Sequence, residues 1–161
     1  EVGAQARFTE YMDVGGATLW SPERVVTRDD ILSLLQEALG EATPEASRGA
    51  APAESFTLAN GARVGVIAST TQPFCSNCDR SRLTADGHWY LCLYAEHGID
   101  LRAMLRDGAT ADEVSEQIRS VWSQREDRGA EERLEMPERG ALYQIQELRQ
   151  DPSREMHTRG G

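Results

Sequence analysis

With 161 residues, 39% apolar and 27% charged, the chain is long enough for a domain with its own core and too apolar for disorder. A net charge of −10 excludes broad binding to nucleic acid or to an anionic membrane surface, and no apolar run approaches the about 20 residues of a membrane span. Three cysteines, an odd count, with no basic-plus-apolar leader opening the sequence, imply a reducing, cytoplasmic setting where thiols serve metals or catalysis.

The first element expected is a strand, Arg7 to Met12, running into a turn at Gly15-Gly16. Its abrupt start suggests that a piece precedes it. "TRDDILSLLQEALG" predicts a helix capped by Thr27 with Asp30, stopped by Gly40, and striped by Ile31, Leu34, Leu35, Ala38 and Leu39. Residues 41–54 are small, polar and proline-bearing, and read as a loop or linker. Two hairpins follow. The first turns at Asn60-Gly61, a pair suited to a type I′ turn; the second turns at Ala85-Asp86-Gly87, a three-residue loop with Gly87 left-handed. The second register sets Thr84 opposite His88, Arg82 opposite Tyr90 and Arg80 opposite Cys92. The remainder reads as helical. Asp100 to Arg106 forms a short helix before Gly108, and Thr110 with Glu113 caps a longer one striped by Val114, Ile118, Val121 and Trp122.

Cys75 and Cys78 form a C-x2-C knuckle, and the second hairpin returns Cys92 toward it. Three converging thiolates suit zinc, with His97, or less well His88, as the fourth ligand. They also suit an iron–sulfur cluster that keeps one iron open. Spacing alone ranks zinc first, and reduced buried thiols are the remaining reading. In so acidic a chain an anionic ligand needs a local cation cluster. The segment Arg80 to Arg82 supplies either that or two solvated surface arginines.

The blocks "RFTEYMDVGG", "GVIASTTQPFCSNCDRSRLTADGHWYLCL" and "VWSQREDRGAEER", with the terminal "GG", resemble the GTP 3′,8-cyclase family of molybdenum cofactor biosynthesis. The resemblance runs over nearly the whole chain and is weakest in residues 41–54. It implies an α/β fold: the C-terminal part of an incomplete radical S-adenosylmethionine (β/α) barrel, then a domain of antiparallel hairpins and helices. Residues 1–40 would supply the last strand and helix of the barrel, 41–54 a linker, and 55–161 the cluster- and GTP-binding domain. It further implies that Cys75, Cys78 and Cys92 hold a 4Fe–4S cluster with an open iron that binds the guanine of GTP. Arg80, Ser81 and Arg82 would contact GTP, Arg7 would face its cavity, and Met12 would touch S-adenosylmethionine. Gly160-Gly161 would be the family's tail reaching the active site, and the full-length form a homodimer.

The chain departs from the family in lacking the C-x3-C-x2-C motif that generates the radical, since its only cysteines are already assigned. It corresponds to the C-terminal half, and its partner would be the N-terminal radical half. A rival reading from another class is a zinc-binding Cys3His module with an acidic interaction surface.

Overall fold

The computed structural model describes residues 4–46 and 49–159. The Gly160-Gly161 tail lies outside the described residues. The chain divides into two compact units, each described by itself below.

The first unit gathers the described residues of Glu1–Asp13, Leu19–Cys78 and Ala130–Gly140. Its sheet contains β1 (Ala6–Thr9), β2 (Ala42–Pro44), β3 (Glu54–Leu58) and β4 (Arg63–Ile67), in the order β1-β4-β3-β2, and α1 (Arg28–Leu39) covers it. β4 runs parallel to β1 and antiparallel to β3. Alternation explains the core. Phe56 and Leu58 on β3 and Val64 and Val66 on β4 point to one face, where they bury with Ile31 of α1. Each such side chain contributes roughly 1.5–3 kcal/mol on burial.

Thr27 caps α1 as expected, in a reciprocal capping box with Asp30. The predicted stripe is only partly used. Ile31 is buried and Leu35 packs on the core, but Leu34 and Leu39 are exposed, and Leu32 takes an inner place instead. A two-strand footing under α1 is narrower than a full helical stripe.

The structure departs from two other expectations. The strand expected to reach Met12 ends at Thr9. Its last ladder bond runs from Glu10 N to the Ile67 carbonyl at 3.1 Å, after which the Glu10 side chain turns inward. Within the expected loop 41–54, Ala42–Pro44 pairs with β3 as an edge strand, where Pro44 costs no ladder bond on its open side.

The turn at Asn60-Gly61 is not type I′, which needs positive φ at both central residues. Gly61 has φ 81°, whereas among the described residues positive φ occurs at glycines alone. Leu58 N donates to the Ala62 carbonyl and Gly61 N to the Leu58 carbonyl, closing a three-residue loop over Ala59-Asn60-Gly61. The Asn60 side chain accepts from Ala62 N at 2.9 Å, so it serves as an acceptor rather than as a left-handed residue.

The second unit gathers Val14–Thr18, Asp79–Gly129 and the described residues of Ala141–Gly161. β5 (Arg82–Leu83), β6 (His88–Tyr90) and β7 (Ile99–Asp100) form an antiparallel sheet, followed by α2 (Leu101–Arg106) and α3 (Ala111–Ser123). α4 (Gly129–Leu134) begins in this unit, and α5 (Ile145–Gln150) lies within it. The hairpin has the expected three-residue loop, with Arg82 opposite Tyr90 and Gly87 at φ 87°. The core is aromatic: Trp89, Tyr90, Tyr94 and Tyr143 are buried, and Trp89 stacks on Trp122 of α3 at 6.4 Å. Thr110 and Glu113 form the expected capping box on α3, whose stripe is half-buried.

Candidate functional site

The segment that carries the knuckle is built from the end of β1. Glu10 is buried, and its carboxylate accepts from Arg28 N at 2.7 Å, Thr70 N and Thr71 N at 2.8 Å each, and the Thr71 hydroxyl at 2.5 Å. The N-terminus of α1 and the 70–71 turn are thereby fastened to one carboxylate, and helix-end amides suit its charge. Three residues on, Asp13 is fully buried and grips two guanidiniums. Arg133 Nε reaches it at 2.8 Å, and Arg139 forks onto both oxygens at 2.9 and 3.1 Å. Arg133 also donates to the Gly140 carbonyl, closing the 133–140 loop. Arg139 returns to the same turn by donating to the Thr70 carbonyl at 3.0 Å, and it stacks over Trp20 at 4.9 Å.

Beyond that turn the chain enters the cysteine knuckle. Cys75–Asn77 form one turn of 3-10 helix, and Cys78 N donates to the Cys75 carbonyl at 3.1 Å. Both thiols are half-buried. Met12 is half-buried between Glu10 and Asp13, past the strand expected to hold it. Arg7 is exposed on β1 opposite Gly65, whose bare Cα leaves room for the arginine stem: a Cβ there would meet Arg7 Cγ at 3.3 Å.

The second unit holds Arg80, Ser81, Arg82 and Cys92. Arg82 is the first residue of β5 and forms its outermost pair, with Tyr90. The ladder stops at the Arg82–Tyr90 pair, so strand alternation does not set the faces of Arg80 and Cys92, as the longer expected strands would have done. The chain bends after Tyr90. Ala95 N donates to the Cys92 carbonyl, and Gly98 lies flat on the Tyr90 ring, where a Cβ would sit 2.9 Å away. Cys92 is half-buried and packs against Gly129 at the start of α4, where a Cβ would lie 3.2 Å from its sulfur.

His88, the weaker candidate for a fourth zinc ligand, is held between two carboxylates. Its Nδ1 lies 3.1 Å from Asp86 and its Nε2 3.9 Å from Asp100. The Thr84 hydroxyl holds the Asp86 carboxyl below its ordinary value, and the Ala103 amide does the same for Asp100. His97 is exposed. Within neither unit do the described residues gather three His, Cys, Asp or Glu side chains into a metal-holding group. The chain's three thiols are one short of a closed zinc site made of cysteines alone, and equal in number the ligands of a cluster that keeps one iron open.

Sequence reasoning missed Glu10, Asp13, Arg133 and Arg139. The available signal was an acidic residue inside the expected strand, Glu10, and a second just past its end, Asp13, which demand donors from elsewhere in the chain if they are buried.

A profile of the family described as Molybdenum Cofactor Synthesis C matches residues 4–131. Similar curated proteins include a GTP 3',8-cyclase 1 from Mycobacterium tuberculosis (strain CDC 1551 / Oshkosh), 52% identical over 99% of this chain and 45% of the relative. A GTP 3',8-cyclase from Synechococcus sp. (strain WH7803) is 39% identical over 83% of this chain and 38% of the relative. One from Staphylococcus aureus (strain bovine RF122 / ET3-1) is 37% identical over 80% and 38%. The chain thus spans less than half the length of these relatives.

Proposed function

This chain belongs to the Molybdenum Cofactor Synthesis C family, and from that membership we propose that it is the substrate-holding part of a GTP 3′,8-cyclase. The reaction is conversion of GTP to (8S)-3′,8-cyclo-7,8-dihydroguanosine 5′-triphosphate by radical S-adenosylmethionine chemistry. The observation that carries this reading is 52% identity over 99% of the chain to a protein of that name. The knuckle turn with its two half-buried thiols supports it.

In this reading Cys75, Cys78 and Cys92 hold a 4Fe–4S cluster. Such a cluster, when bound, supplies one Lewis-acidic iron for the guanine ring. Arg80, Ser81 and Arg82 meet the triphosphate with charged forks and a hydroxyl, and Arg7 adds a cation on β1. Met12 contacts S-adenosylmethionine. The work of these residues is orientation: they hold the ribose where a radical formed elsewhere can reach it.

Residues 1–40 then serve as the last strand and helix of a radical S-adenosylmethionine barrel, residues 41–54 as a connection that carries edge strand β2, and 55–161 as the cluster and GTP domain, with β3 and β4 sharing the sheet of β1. The exposed β1 and the apolar groove lined by Phe8, Tyr11, Val26 and Leu34 support that placement, because a barrel neighbour would cover them. The N-terminal radical half is the partner that completes the enzyme, and the whole is a cytoplasmic homodimer. No helix among the described residues is long and apolar enough to cross a membrane. The zinc-module alternative is not favoured by the named relatives.

Calorimetric titration of the anaerobically reconstituted chain with GTP tests the reading. Saturable GTP binding that is lost on removing the iron is the expected result. Equal heats with and without iron would refute it.

A further inference from the structure

Glu10 has four hydrogen-bond partners, all backbone amides or a hydroxyl, and three of the four bonds go to Thr70 and Thr71. Thr71 lies only four residues before Cys75. The fourth bond goes to the first amide of α1, so one buried carboxylate joins the end of β1, the head of α1 and the approach to the knuckle. Asp13 holds the same turn from its other side, through Arg139 and the Thr70 carbonyl. Met12 stands between these two carboxylates.

We propose that Glu10 is a positioning residue for the knuckle: its carboxylate fixes where the Thr70–Thr71 turn starts, and hence where the thiols of Cys75 and Cys78 sit relative to Met12. This deepens the function proposed above and rests on it for the roles of Cys75, Cys78 and Met12. A neutral amide cannot replace the carboxylate, because Glu10→Gln turns an NH2 group toward amides that themselves donate. The turn then opens locally, and thiols that are half-buried become more accessible to reagents.

The test is peptide-resolved alkylation of the metal-free chain with iodoacetamide, following each cysteine separately by mass spectrometry. In Glu10→Gln, Cys75 and Cys78 should react about tenfold faster, the equivalent of one lost charge-assisted hydrogen bond, while Cys92 keeps its wild-type rate. Equal acceleration at all three cysteines would mean that Glu10 merely stabilises the chain, and would overturn the proposal. No acceleration at any would overturn it too. Thr71→Val removes a single donor to the same carboxylate and should give the same pattern more weakly, so the test survives if Glu10→Gln fails to fold. Iron uptake is measured in parallel on wild-type chain. A wild type that takes up no iron would sink the cluster reading, while the alkylation pattern would still decide the role of Glu10.

Discussion

Asp13→Asn should be among the most damaging single substitutions in the first unit. Asp13 is fully buried, and the side chains of its partners Arg133 and Arg139 are 14% and 7% exposed, so none of the three charges is well solvated. Removing the shared carboxylate from a buried ion pair costs about 3–5 kcal/mol, far above the 0–1 kcal/mol of a surface bridge. At about 2–4 °C per kcal/mol for a chain of this size, the melting temperature should fall by about 6–20 °C. The stacking of Arg139 on Trp20 and its bond to the Thr70 carbonyl remain, which keeps the loss from being larger. Urea unfolding of Asp13→Asn, Arg139→Gln and the double variant measures it. The double variant should be less unstable than the sum of the singles by about 0.5–3 kcal/mol, since the two groups interact directly. A loss below about 1 kcal/mol with additive singles would show that the buried knot does not hold the unit together.

Arg80→Ala and Arg82→Ala should each lower GTP affinity by about 10- to 150-fold, the loss of one charge-assisted contact. Destabilised variants with unchanged GTP affinity would remove both from the site. The 161-residue chain alone, given S-adenosylmethionine and reductant, should form no cyclised product, because it holds no C-x3-C-x2-C motif; turnover would contradict this. The Asp30 carboxyl is held below its ordinary value by the Thr27 hydroxyl and amide. A depressed folded pKa stabilises fully above the unfolded value and is lost as pH falls through the folded one. The melting-temperature gap between wild type and Asp30→Asn should therefore be constant from about pH 5 to 8 and close below about pH 4. A gap that persists or widens in acid would refute the cap.

Local chemistry was the legible part of the fold. Thr27 with Asp30 and Thr110 with Glu113 cap their helices because capping is decided within four residues. The register of the second hairpin followed from its loop for the same reason. Misreadings came where a competing side-chain bond or distant residues decide. The turn at Asn60-Gly61 took the same loop length as Ala85-Asp86-Gly87, because Asn60 spends its side chain on Ala62 N. β1 stops at Thr9 because Thr70, Thr71 and Arg28 draw Glu10 inward, and nothing near residue 10 in the sequence announces them. Of the site, the C-x2-C turn was legible from spacing. The carboxylates that hold its approach were not, since their donors lie up to 126 residues away.

The most direct measurement of the central claim is the iron and sulfide content of the anaerobically reconstituted chain, read with its absorption spectrum. A brown protein with about four irons and four sulfides per chain and a broad band near roughly 400 nm is expected, lost when Cys75, Cys78 or Cys92 is replaced by serine. A colourless chain carrying one zinc and no sulfide would contradict it.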